Sequence, residues 1–77
     1  MSDIFYYPYN RKTANAVENL TKIHNLSPCP TQTKNEMIYK NKKVILWKKK
    51  KYICLRALDD DMSLYNAIRQ SIIAEDS

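Results

Sequence analysis

A chain of 77 residues without a single glycine must build every turn and helix end from residues that resist positive φ. Left-handed positions then fall to asparagine, whose short polar side chain tolerates them, and the chain holds seven. The same absence removes functions. No phosphate-binding loop and no glycine-rich oxyanion loop can be written without glycine.

The size allows one small domain with a thin core. Hydrophobic content of 44% with 27% charged residues is that of a folded chain rather than a disordered tail. No apolar run exceeds four residues, as at Val44 to Trp47, so no membrane span and no signal peptide is read, and a cytoplasmic chain is expected.

The pattern divides into five parts. Residues 1–9 are an aromatic leader, Asp3-Ile4-Phe5-Tyr6-Tyr7-Pro8-Tyr9 at its heart, extended by Pro8 into an edge strand or arm. Residues 10–25 read as a helix, with Ala16, Val17, Leu20, Ile23 and His24 on one face, Asn10 or Thr13 as N-cap and Asn25 as its left-handed stop. Two prolines make 26–35 a connecting loop. Residues 36–57 read as a three-stranded antiparallel meander, with Asn41-Lys42 as its first turn and Lys48 to Lys51 closing the second. Residues 59–74 read as a second helix, capped by an aspartate of Asp59-Asp60-Asp61 and striped by Met62, Leu64, Tyr65, Ile68, Ile72 and Ile73. The expected fold is a single small α+β domain of order (β)αβββα, with two helices packed on one face of a short antiparallel sheet.

Those turns imply a register in which Tyr39 faces Val44 and Leu46 faces Ile53. Alternation then places Met37, Tyr39, Val44, Leu46, Ile53 and Leu55 on a face for the helices. Ile38, Lys40, Lys43, Ile45, Trp47, Tyr52, Cys54 and Arg56 share the other. A one-residue slip would exchange the faces. The second face is apolar at its centre and basic at its rim, so it is either covered by the leader, through Ile4, Phe5 and Tyr7, or left as a binding surface.

Charge favours a surface. Residues 37–58 carry eight Lys or Arg and no acid, while the rest of the chain sums to −3. The candidate contact set is Lys40, Lys42, Lys43, Trp47, Lys48, Lys49, Lys50, Lys51, Tyr52 and Arg56. Lysines attract phosphate or acidic protein, and Trp, Tyr and Arg are the usual anchors of an interface. Trp47 and Tyr52 also suit stacking on bases.

Other chemistry finds little support. The aspartate triplet reads as a cap rather than a metal site, and no cofactor is implied. His24, the only histidine, reads as a packed residue; Cys54 reads as a small buried hydrophobe, and Cys29 lies between prolines. A Cys29–Cys54 bridge is open from spacing but unexpected in a reducing compartment. No nucleophile–base pair is spaced for catalysis, so no enzyme is expected.

The order helix, three strands, helix is similar to that of the double-stranded RNA-binding domain. The likeness is one of topology. Where that family opens its second helix with lysines that bridge phosphates, this chain has Asp59-Asp60-Asp61.

Lys, Asn, Ile and Tyr make up 31 of the 77 residues, all read from A/T-rich codons. With the small size this points to a phage or other mobile element. The sequence reading is an accessory protein that binds, and modulates or inhibits, a host macromolecular machine with an acidic or phosphate-bearing surface, such as a nucleic-acid-handling defence complex. Direct DNA or RNA binding through the same surface is the alternative, and a homodimer the second alternative.

Overall fold

The computed structural model describes residues 4–29 and 37–77. Its elements are β1 (Phe5–Pro8), α1 (Arg11–Ile23), β2 (Ser27–Pro28), β3 (Ile38–Lys40), β4 (Val44–Lys49), β5 (Tyr52–Ala57) and α2 (Ser63–Asp76). The five strands form one antiparallel sheet in the order β1-β5-β4-β3-β2. The fold is a small α+β domain with one strand more than expected. Ser27–Pro28, read as loop, pairs with Tyr39 and Lys40 at the sheet edge, where a proline without an N–H is tolerated. Met1–Asp3, the loop residues 30–35 and Glu36 at the expected strand start lie outside the described residues.

Local chemistry explains both helices. Asn10 caps α1: its side chain accepts from the Thr13 N–H at 3.0 Å, while Thr13 Oγ1 accepts from the Asn10 N–H at 2.8 Å. Thr13 Oγ1 also donates to the Pro8 carbonyl, which ties the start of α1 to the end of β1 and satisfies a hydroxyl with no solvent exposure. At the other end Asn25 takes φ 56°, and the Leu26 N–H reaches back to the Thr21 carbonyl, the closure a glycine would ordinarily supply. Thr13, Ala16, Val17 and Leu20 are buried at helical spacing. Ile23 keeps the stripe's angle but ends the helix uncovered, at 68% exposure. In α2 the buried positions are Tyr65, Ile68 and Ile72, whereas Ile73 is exposed. The expected aspartate N-cap is corrected: Met62 holds that position with no side-chain bond, and Asp61, one residue earlier, accepts from the Ser63 N–H at 3.0 Å.

Both hairpins pair two residues away from the expected register. Tyr39 faces Leu46 and Leu46 faces Leu55. In the first hairpin, the Asn41 side chain accepts from the N–H groups of Lys43 and Val44, at 2.7 and 2.9 Å. That makes Asn41 the residue before the turn, and Lys42-Lys43 its centre. In the second hairpin the strands continue through Lys48↔Ile53 and Lys49↔Tyr52 before reversing at Lys50-Lys51. The extra rungs satisfy backbone groups that a four-residue loop would leave to water, at the expense of a left-handed Lys50 with φ 56°. Because side chains alternate with period two, a shift of two leaves every strand residue on its expected face.

One face is therefore core. Val44, Leu46, Ile53, Leu55 and Ala57 pack with Val17 and Leu20 of α1 and with Tyr65, Ile68 and Ile72 of α2. The leader does not cross the second face. It lies beside β5, with Phe5↔Leu55 and Tyr7↔Ile53, so Phe5 and Tyr7 extend the core layer and their rings stack at 5.9 Å. Asp76 at the end of α2 accepts from the Tyr7 hydroxyl and the Asn10 amide, both at 3.0 Å, joining the two ends of the chain. That bond, with burial and the Asp76 charge behind it, raises the Tyr7 phenol above its ordinary pKa.

Candidate binding surface

With the helices on one side and the leader at the edge, the opposite face of the sheet is open among the described residues. Its register can be read in rows. Tyr6 of β1, Cys54 of β5, Trp47 of β4 and Ile38 of β3 stand side by side. Arg56, Ile45 and Lys40 form the row on one flank, and Pro8, Tyr52 and Lys49 the row on the other. No acid occurs among these residues.

Exposure varies across the rows. Cys54 at the centre is fully buried by its neighbours, and burial raises its thiol pKa against the opposing pull of Lys49, so it stays a protonated packing residue. Neither cysteine is in a disulfide, so the Cys29–Cys54 bridge does not form. Ile38, Ile45 and Trp47 are half-buried, while Tyr6, Tyr52 and Leu58 remain about half exposed at 54%, 51% and 49%. Two shallow depressions result. One, of about 330 Å³, is lined by Ile38, Ile45, Trp47, Arg56 and Leu58. The other, of about 410 Å³, is lined by Tyr6, Lys49, Lys50 and Tyr52.

The structure brings together Lys40, Trp47, Lys49, Tyr52 and Arg56 of the sequence-derived set, with Lys50 and Lys51 on the adjoining turn. Lys42 is exposed on the opposite turn. Two members are directed elsewhere. Lys43 leaves the face for an ion pair with Asp61 at 2.8 Å, which raises its ammonium pKa. The same contact, with Ser63, holds the Asp61 carboxyl well below the usual carboxylate range. Lys48 pairs with Ile53 on the helix side, and its ammonium lies 4.4 Å from the centre of the Tyr9 ring. Asp59 bonds the Asp60 N–H, so two of the three aspartates serve the connection into α2. His24 is half-buried at the end of α1.

Tyr6 is the residue that the sequence reading missed. Its alternation with Phe5 and Tyr7 signals a strand with two different faces, but only pairing with β5 says which face Tyr6 joins. Neither a family model, a curated protein nor a solved structure matches this chain. The surface has to speak for itself. No helix among the described residues is long and apolar enough to cross a membrane.

Proposed function

We propose that the protein is a binding module whose partner sits on the open face of the sheet. The supporting observation is that face itself: Tyr6 and Tyr52 are exposed and Trp47, Ile38 and Ile45 half-buried on a side that no described helix covers, ringed by Lys40, Lys49, Lys50 and Arg56 with no compensating acid among them. An apolar centre with aromatic anchors and a charged rim is the anatomy of a docking surface. The rim selects the partner's sign. Stacking two copies of this face would bring like charges together, which disfavours the homodimer and favours an acidic or phosphate-bearing partner.

The biological reading is that of a phage or mobile-element accessory protein that docks on a host nucleic-acid-handling complex and modulates or inhibits it. Lysines steer the approach, and Trp47 with Arg56 anchors the contact. The test compares the wild type with Trp47→Ala and with Ile73→Ala, an exposed apolar change on α2. Capture of such a complex that Trp47→Ala loses and Ile73→Ala keeps, followed by a fall in the purified complex's activity when wild type is added, is the expected result. Equal capture by all three proteins would sink the reading. Direct DNA or RNA binding through the same face is the second reading, and the exposed Tyr6 and Tyr52 rings favour it.

A further inference from the structure

We infer that the depression between Tyr6 and Tyr52 is a subsite for an unpaired nucleotide of single-stranded nucleic acid. The base would lie against the two phenol rings and its phosphates between the ammonium groups of Lys49 and Lys50. This inference rests on the open face being the docking surface, and it names what is touched at one end of that face.

Four observations converge there. First, the pairs Tyr6↔Cys54 and Pro8↔Tyr52 put the two tyrosines on adjacent strands, one diagonal step apart on the same face. Both tyrosines are about half exposed, although Ile53 and Leu55 on the core side of β5 are fully buried. Second, the depression they line, about 410 Å³, falls within the range of small-molecule sites. Third, its other described walls are Lys49 and Lys50, and neither forms an ion pair among the described residues. Lys43, by contrast, is neutralised by Asp61.

The fourth observation concerns the turn. Lys50 holds φ 56°, a conformation that penalises any residue with an ordinary side chain. At the other left-handed position among the described residues the chain uses Asn25. A lysine in a strained turn beside two exposed rings keeps a cation there against the local backbone preference, and such strain collects at functional positions.

Flat rings beside unpaired cations match the two parts of a nucleotide, its π-face and its phosphate. A base can offer its face only outside a duplex, so the expected ligand is single-stranded. Stacking of this kind is tolerant of sequence, because every base has a π-face. The depression around Ile38, Ile45 and Trp47 has one aromatic ring rather than a pair and is left to the rest of the partner.

The experiment is fluorescence anisotropy with labelled oligo(dT), oligo(rU) and a duplex DNA of equal length, at low and at physiological salt. Tyr6→Ala, Tyr52→Ala, the matching Phe variants and Lys49→Ala/Lys50→Ala are titrated beside the wild type, with circular dichroism to confirm folding. Micromolar single-strand binding that survives physiological salt, exceeds duplex binding and weakens about tenfold in either Ala variant is expected. The Phe variants should retain it, and the lysine pair should reduce the log–log salt slope by about 0.7 for each phosphate no longer neutralised. Equal duplex binding, or unchanged binding in the Ala variants, overturns the subsite. If Tyr6→Ala fails to fold, Tyr52→Ala and the two Phe variants decide. Absence of oligonucleotide binding alongside Trp47-dependent capture of a host complex would remove the subsite and leave a protein docking face. Failure of both would remove the docking reading as well.

Discussion

Ile45 and Leu46 are consecutive residues of β4, similar in size and hydrophobicity, and they end in different environments. Leu46 has no solvent exposure under α1 and α2, while Ile45 is half-buried on the open face. The contrast runs through the sheet: Val44, Ile53 and Leu55 are sealed, but Tyr6, Trp47 and Tyr52 are not. At the centre of the sheet hydrophobicity does not distinguish the faces. Cover does, and the described residues hold two amphipathic helices, enough for one side of a five-stranded sheet. The apolar surface left over acquires cations at its rim in place of a third layer, which is why it reads as an interface rather than as a second core.

The largest expected effect breaks the comparison directly. Leu46→Ala should cost about 2–5 kcal/mol in urea denaturation, comparable to the whole stability of a domain this small, whereas Ile45→Ala should cost about 1–2 kcal/mol. Equal losses would mean that the open face is covered in solution. Next, Thr13→Ala removes the hydroxyl that serves Asn10 and Pro8, and should cost about 1–2 kcal/mol by the same measurement. Thr13→Ser should recover most of it, because the hydroxyl remains. An unchanged midpoint in Thr13→Ala would show that the β1–α1 junction is held by packing alone.

A smaller effect sharpens the contrast between stability and binding. Lys50→Gly relieves the left-handed turn and should stabilise the fold by about 0.5–1 kcal/mol, while weakening oligonucleotide binding by removing a cation. Loss of stability would mean that the turn is not strained. The smallest effect lies away from the open face, in the Asp61 carboxyl that Lys43 and Ser63 depress. A depressed folded-state pKa contributes stability above the unfolded value of about 3.9 and loses it as pH falls toward the folded value. Carboxyl titration followed by NMR should place Asp61 below that ordinary value, and Lys43→Ala should move it upward. A midpoint unaltered by Lys43→Ala would show that the ion pair is not formed in solution.

Much of this architecture is legible locally. Asn10, Thr13 and Asn25 mark the ends of α1 through their own hydrogen-bonding and backbone preferences, with no reference to distant residues. The two faces of β3, β4 and β5 follow from alternation, which is why a register wrong by two residues in both hairpins still sorted Ile45 from Leu46 correctly. The turns are less legible. Asn41 acts through its side chain from the position before the turn, and Lys50 occupies a conformation that its residue type disfavours, so preference alone misplaces both reversals.

The candidate surface divides in the same way. Trp47, Tyr52, Arg56, Lys40 and Lys49 were assigned from pattern and charge, and the sheet does gather them on one face. Lys43 and Lys48 carry the same charge in the same segment, yet Asp61 takes the first and Tyr9 lies beneath the second. Both partners are distant in sequence. The position of the leader has the same character: alternation in Phe5-Tyr6-Tyr7 announces a strand, but its partner β5 lies almost fifty residues away. What the amino-acid sequence determined by itself was the ends of α1, the presence of β1, β3, β4, β5 and α2, and the two faces of the strands, because those follow from preferences acting over a few residues. Only tertiary structure decided which edge received β1, which lysines kept their charge unpaired, and that Tyr6 joined Tyr52 on the uncovered side, because those outcomes depend on contacts between distant segments that no local preference encodes.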